Sequence, residues 1–163
     1  MPDITLIPRQ RDRSPTLVSR EHVDAMIDLY PGGLTWRRTF RGTLDQIPHA
    51  RHFVRYLLAD SLCHEDAEQV VAELAANAVQ HTASNDPGGT FIIEITRTAA
   101  EVTIAVYDCG WTGVPLFGRR CRTDVEHGRG LAIVAALAEE VGYEGGDETG
   151  HRVWATIRAR PSA

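Results

Sequence analysis

Residues 72–81 read AELAANAVQH and place three polar side chains at intervals of four in a segment that is otherwise small and mostly apolar. Residues four apart lie nearly above one another on an α-helix, so Glu73, Asn77 and His81 would share one stripe. The alanines and valines between them would form a separate packing face. The stretch therefore predicts a helix whose carboxylate, amide and imidazole side chains point to the same side. A solvated polar edge on a packed helix would give the same spacing.

The composition is that of a globular protein with a hydrophobic core. The chain has 163 residues, of which 43% are hydrophobic, and a formal net charge of -5. This length suits one soluble domain with an appendage. The acidic balance argues against a protein that is held mainly by phosphate backbones, so no direct contact with nucleic acid is expected.

The chain has no lysine, because all 17 basic residues are arginine. A Walker A phosphate loop requires its lysine, and Schiff-base and Ser-Lys catalysis require one as well. These enzyme classes are excluded. Any phosphate group must be neutralised by arginine, a metal ion or backbone amides.

The cysteines and the apolar segments favour a cytoplasmic protein. Cys63, Cys109 and Cys121 are odd in number and lack C-x-x-C spacing, which is typical of reduced thiols and not of a disulfide framework or a zinc site. No signal peptide is recognisable, and no apolar run has the length that spans a membrane.

The order of the predicted elements is strand, helix, helix, hairpin, loop, helix and strand. Residues 1–33 are interpreted as a mostly flexible extension with one possible short helix, and residues 34–160 as the folded domain. A strand begins at Leu34, and Asp45 is a plausible cap for the first helix. The second helix is predicted from about His64 to His81.

The second half of the domain begins with two alternating apolar runs that predict a hairpin, with its turn near Ala99 and Ala100. About 20 irregular residues follow Asp108, a length typical of lids and binding loops. A third helix is predicted over GRGLAIVAALAEEVGY, which ends at Tyr143, and GHRVWATIRA predicts the last strand. Together these elements predict an α+β fold, a two-layer sandwich in which helices cover one face of a mixed, mostly antiparallel sheet.

Two further motifs contain groups that could bind a ligand. Asp108 ends an apolar strand and Gly110 follows it, so a buried carboxylate could accept hydrogen bonds from a ligand while the backbone approaches closely. Gly128, Arg129 and Gly130 open a helix, whose free N–H groups and positive dipole end attract anions. Taken alone, the first is also an ordinary turn, and the second is also a glycine-rich helix cap.

Taken together and in this order, the motifs resemble those of the GHKL, or Bergerat-fold, ATPases. They are E-x-x-x-N on a helix, D-x-G after a strand, a long loop, and G-x-G at a helix start. The resemblance covers roughly residues 34–160. Within that superfamily, ELAANAVQHT, DCGWTGVP and GRGLAIV are most similar to the RsbW-like anti-sigma-factor serine/threonine kinases and related actinobacterial ATP-binding regulators. This resemblance implies a histidine-kinase-like ATPase fold and a protein that uses ATP and Mg²⁺.

The resemblance also implies a role for each matching residue. Glu73 takes the place of the catalytic general base, and Asn77 that of the Mg²⁺ ligand. The remaining nucleotide-binding positions would contact adenine, shape its pocket or hold phosphate; they are Asp108, Gly110, Gly113, Gly128, Arg129, Gly130 and Leu131. By the same resemblance the chain would phosphorylate an anti-anti-sigma (STAS) partner and sequester a sigma factor, with a homodimer possible.

Two positions depart from the pattern of these relatives. The usual D-x-G-x-G becomes Asp108-Cys109-Gly110-Trp111-Thr112-Gly113, so its second glycine comes one residue late. Many relatives have threonine after the glycine that opens the last strand, whereas this chain has His151. Both departures favour the alternative function, a noncatalytic adenine-nucleotide-binding module that acts by binding proteins. A metal-dependent hydrolase is disfavoured, because His64 and His81 would lie at opposite ends of one helix.

Overall fold

The computed structural model describes residues 25–27, 29–81, 83–108, 129–146 and 150–159. In this part of the chain, five strands form one sheet and three α-helices pack on it. The strands are β1 (Leu34–Arg41), β2 (Thr90–Arg97), β3 (Glu101–Tyr107), β4 (Glu140–Gly146) and β5 (Gly150–Arg158), and the helices are α1 (Ile47–Leu57), α2 (His64–His81) and α3 (Arg129–Leu137). The strand order is β1-β2-β3-β5-β4, and every neighbouring pair is antiparallel. The predicted α+β sandwich is confirmed.

The hydrophobic core lies between the helices and one face of this sheet. Ile95, Ile104 and Ala155 are register partners on β2, β3 and β5, and all three are fully buried. The alternation of apolar and polar residues predicted for these strands follows from the pleat, which sends successive side chains to opposite faces. Each large apolar side chain buried in this way contributes about 1.5–3 kcal/mol to folding.

Helix α2 is the central element of the helical layer. It contacts α1, α3 and the strands β2, β3 and β5. Its buried positions are mostly small or β-branched, and they are Ala67, Glu68, Val70, Val71, Leu74, Ala75, Ala78 and Val79. Small side chains allow the helix axis to come close to the sheet and to both neighbouring helices. The polar stripe predicted on this helix consequently lies beside the core and not far out in solvent.

The opposite face of the sheet has a polar network that crosses all five strands. Glu94 forms an ion pair with Arg37 and accepts a hydrogen bond from the Tyr107 hydroxyl at 3.2 Å. Arg152 Nε in turn donates to the Tyr107 hydroxyl oxygen at 3.1 Å and pairs with Glu144. In the described ranges, the helices therefore cover one face, as predicted, and charged side chains cover much of the other.

Strand β4 corrects the prediction of the third helix. That helix was predicted to continue to Tyr143, but α3 ends at Leu137, and Glu140–Gly146 pairs with β5. Val141 packs against the core in the strand, as it would have done in a helix. The apolar residues of this stretch therefore fit both periodicities, and pairing with β5 decides between them.

Asp45 is not the cap of the first helix. It lies in a short 3₁₀ turn, Leu44–Gln46, and the residue that caps α1 is Gln46, which makes no side-chain capping hydrogen bond. Pro48 stands in the first turn of α1, where its fixed φ and missing N–H are tolerated. A hydrogen bond with Thr43 lowers the pKa of the Asp45 carboxyl.

The part of the extension that the structure describes is helical at residues 25–27 and 29, and Ile27 is buried. Residues 1–24 lie outside the described residues, so the boundary at residue 34 stays a prediction. Of the three cysteines, Cys63 is buried and free, while Cys109 and Cys121 lie outside the described residues. None of the helices in the described ranges is long and apolar enough to cross a membrane.

Candidate functional site

The polar stripe of α2 is present and extends one turn further than predicted. Glu73, Asn77 and His81 are half-buried, and Gln69, four residues before Glu73, has the same position on the helix. These side chains lie at the border between the packed face of α2 and solvent. The stripe is therefore a partly buried side of α2 and not a fully solvated edge.

The Glu73 carboxylate is held between α2 and the start of α3. Gln69 Nε2 donates a hydrogen bond to Glu73 Oε1 at 2.7 Å. The other oxygen faces Gly130: a Cβ atom built on this glycine would lie only 2.5 Å from Glu73 Oε2. Glycine at position 130 thus makes room for the carboxylate. Within the described residues, Glu73 forms no ion pair, so its negative charge is not neutralised by an arginine of that part of the chain.

The first turn of α3 combines an exposed cation with the backbone donors of a helix start. Arg129 is exposed and Gly130 is half-buried, while the side chain of Leu131 is buried in the hydrophobic core. The first N–H groups of a helix have no intrahelical partner, and the dipole places positive charge at this end. Leu131 can therefore contact a ligand only through its backbone. The turn lies directly beside the Glu73 carboxylate.

Asp108 and His151 form a second pair, at the ends of β3 and β5. The Asp108 N–H donates to the His151 carbonyl at 2.9 Å, and the His151 N–H donates to Asp108 Oδ1 at 3.2 Å. His151 Nδ1 lies 3.8 Å from the same oxygen, and the two side chains are only 2% and 5% exposed for Asp108 and His151. Thr156 points to the opposite face of the sheet, where it bonds Thr103, so it does not replace a threonine at position 151.

Glu68, on the same helix, shows what a structural carboxylate looks like in this protein. It is 4% exposed and accepts two hydrogen bonds from Arg55, each at 2.7 Å. The hydrogen bonds from Arg55 are the main cause that lowers the pKa of Glu68, and Arg51 adds to the effect. This cluster lines a pocket of about 430 Å³ between α1 and α2. Its carboxylate is neutralised by arginines, whereas the Glu73 carboxylate pairs with no arginine of the described residues.

The structure joins some of the predicted site residues and leaves others outside the described ranges. Glu73 meets Gly130, and Asp108 meets His151, both on the helix side of the sheet. Gly110, Gly113 and Gly128 lie outside the described residues. Sequence reasoning missed two contacts, namely Gln69 with Glu73 and His151 with Asp108. Continuing the spacing of four by one turn towards the N-terminus would have found Gln69.

Comparisons with known proteins agree with this architecture. The crystal structure of the RsbU and RsbW domains of Rv1364c from Mycobacterium tuberculosis superposes with a TM-score of 0.60 at 20% identity. The alignment covers 79% of this chain and 34% of that one, so this chain spans about a third of its length. At this identity, the likeness shows the fold. No curated protein sequence matches the chain.

A family model gives the assignment. The model that describes the histidine kinase-like ATPase domain matches residues 40–157, which include α2, Asp108 and α3. The match covers well over half of the chain and every element from the end of β1 to β5. The chain therefore belongs to the family of histidine kinase-like ATPase domains.

Proposed function

We propose that the protein is an ATP-binding serine/threonine kinase of the anti-sigma-factor type, which phosphorylates a STAS anti-anti-sigma partner and sequesters a sigma factor. Membership in an ATPase domain family supports ATP as the nucleotide. The observation that carries the kinase proposal is the position of the Glu73 carboxylate against Gly130 at the start of α3. This contact brings a potential proton acceptor next to backbone donors that suit a phosphate group.

Each predicted nucleotide contact has a physical basis. The Asp108 carboxylate is nearly inaccessible to solvent, so a hydrogen bond from the adenine amino group would be made in a dry environment, where it discriminates strongly. The amides of Gly128 to Leu131 and the Arg129 guanidinium would bind phosphate oxygens. By the same resemblance, Gly110 would shape the adenine pocket and Gly113 would take part in nucleotide binding; both lie outside the described residues.

The donor set of the described residues fits a magnesium ion that is held mainly by the nucleotide. No group of three or more His, Cys, Asp or Glu side chains in the described residues could form a metal cage. Mg²⁺ bound to ATP needs few protein ligands, because phosphate oxygens and water complete its shell. The Asn77 amide oxygen, one turn from Glu73, is the ligand that we assign. When bound, the ion would offset the charge of the phosphates.

The transfer requires a proton acceptor close to the attacking hydroxyl. The serine or threonine oxygen of the partner attacks the γ-phosphorus, the bond to the β,γ-bridging oxygen breaks, and ADP leaves. Glu73 accepts the hydroxyl proton, while the amides at the start of α3 stabilise charge on the transferred group. A positioned base of this kind contributes about 10²–10⁴-fold to a rate.

Partners and location follow from the resemblance to RsbW-like kinases. The similar crystal structure is that of the RsbU and RsbW domains of Rv1364c, which supports a regulatory setting for the fold. We therefore propose STAS and sigma-factor partners, a cytoplasmic location, no direct contact with nucleic acid, and a possible homodimer.

Phosphotransfer with purified components tests the proposal. The protein is incubated with Mg-ATP and the STAS proteins encoded in the same genome, and phosphoserine or phosphothreonine is measured by mass spectrometry. We expect one partner to be modified, Asn77→Ala to lose Mg-ATP affinity, and Glu73→Gln to retain nucleotide but lose transfer. If no STAS protein were phosphorylated, the kinase assignment would be overturned.

The second candidate is a noncatalytic module whose partner binding depends on the nucleotide. The observation that favours it is His151, which lies beside Asp108 in the pocket assigned to adenine. Calorimetry with ATP and ADP, with and without Mg²⁺, separates the candidates when it is combined with the transfer assay. Binding without transfer supports the module, and absence of binding to any adenine nucleotide overturns both.

A further inference from the structure

We propose that Gln69 is a positioning residue, which fixes the Glu73 carboxylate in the orientation needed to accept a proton. The inference rests on the proposed kinase function, since it concerns the base of that reaction. It assigns a role to a residue that belongs to none of the three motifs. The role is indirect, because Gln69 contacts Glu73 and not the reacting groups.

The geometry distinguishes the two oxygens of the carboxylate. Oε1 accepts the hydrogen bond from Gln69 at 2.7 Å, and Oε2 faces Gly130. A carboxylate that is fixed at one oxygen keeps the other at a defined position. That second oxygen is the one beside the free amides of α3, where we place the phosphate groups. The contact from Gln69 therefore selects which oxygen is available to the substrate hydroxyl.

The neutral charge of the glutamine amide matters as much as its position. Glu68, which lies five residues before Glu73, is bound by Arg55, a cation that holds its carboxylate in an ion pair. An arginine in the place of Gln69 would orient Glu73 but also neutralise it. The amide orients the carboxylate by a hydrogen bond and adds no positive charge beside it.

A purely structural pair would have a different signature. Side-chain hydrogen bonds between residues four apart stabilise a helix by about 0.2–0.5 kcal/mol wherever they occur. If Gln69 did only this, its loss would change stability slightly and leave the rate of transfer unaffected. A positioning role instead predicts a loss in kcat with little change in the KM for ATP, because the nucleotide contacts remain.

The kinetic experiment uses the full chain and three variants. Gln69→Leu removes the donor at nearly constant size, Gln69→Asn keeps the amide but shortens its reach, and Gln80→Leu is the control, since Gln80 is exposed on the same helix. We expect kcat to fall about 10-fold in both Gln69 variants, with the KM for ATP within about twofold, as misplacement of a catalytic group by 1 Å can cost up to about 10²-fold. The control should match wild type. Unchanged kcat in both Gln69 variants, or an equal loss in the control, would overturn the inference.

A second measurement tests the contact that the inference needs, without relying on activity. The side-chain NH₂ signals of Gln69 in ¹⁵N NMR spectra should report the hydrogen bond and move when Glu73 is replaced by leucine. Signals that do not respond to Glu73→Leu would overturn the positioning role, whatever the transfer assay gives. A wild-type protein that shows this coupling but modifies no STAS protein would overturn the kinase proposal and leave the Gln69 contact established.

Discussion

Substitution of Gly130 by alanine tests the contact between α2 and α3 on which the proposed chemistry depends. The added Cβ would lie 2.5 Å from Glu73 Oε2, while ordinary van der Waals contact begins near 3.4 Å. The carboxylate must therefore retreat by about 1 Å, a displacement that can cost about 10²-fold in rate. The nearest atoms belong to the end of a flexible side chain, so the backbone can stay in place.

The expected result is a protein that folds normally and transfers phosphate poorly. Alanine is favoured over glycine in a helix by up to about 1 kcal/mol, which offsets the cost of moving Glu73. We therefore expect the Tm to change little and kcat for transfer to fall about 10²-fold. The Kd for Mg-ATP, measured by calorimetry, should stay within about threefold, because alanine keeps the backbone N–H of residue 130.

Two controls make this prediction specific. Gly32→Ala adds a methyl group that meets nothing within 4 Å, and it should behave as wild type. In a Glu73→Gln background, Gly130→Ala should leave the small residual rate of transfer nearly unchanged, because two changes that act through the same group are not additive. Transfer within threefold of wild type in the single variant, or full additivity in the double variant, would refute the reasoning.

The remaining predictions concern stability. Arg55→Gln should lower the urea midpoint at pH 7. Arg55 lowers the pKa of Glu68 from its ordinary value of 4.5, so the stabilisation is complete above that value and is lost as pH falls through the folded pKa. The difference in urea midpoint between wild type and variant should therefore shrink in acid. A difference at pH 3 as large as that at pH 7 would contradict this. Leu74→Ala, at a position 1% exposed, should cost about 2–5 kcal/mol in urea unfolding, and a loss below 1 kcal/mol would argue against its place in the core. Gly142→Val should force the Trp154 ring aside and cost about 1–3 kcal/mol, read by tryptophan fluorescence; unchanged emission and stability would be inconsistent with that contact.

Local patterns predicted those elements whose residues fit only one periodicity. The hairpin of β2 and β3 follows from strict alternation around the turn at residues 98–100, and α2 follows from an apolar face with the 3.6-residue period. Strand β4 was missed because its apolar residues also continue the pattern of α3. Its partner, β5, determines the outcome, and the hydrogen bonds of that pair are not encoded in either segment alone.

In the candidate site too, some features could be predicted from the sequence and others depend on the tertiary structure. The spacing of four by itself aligned Glu73 with Asn77, since residues on one helix have a fixed relation along the axis. The G-x-G motif by itself indicated an anion site at a helix start. Their meeting was decided only by tertiary structure: Glu73 Oε2 reaches Gly130 because small side chains let α2 and α3 pack closely, and because position 130 has no Cβ. Similarly, Asp108 lies beside His151 because β3 pairs with β5, 43 residues further along the chain. Sequence spacing determines geometry within one element, whereas contacts between elements depend on how closely the backbones can approach.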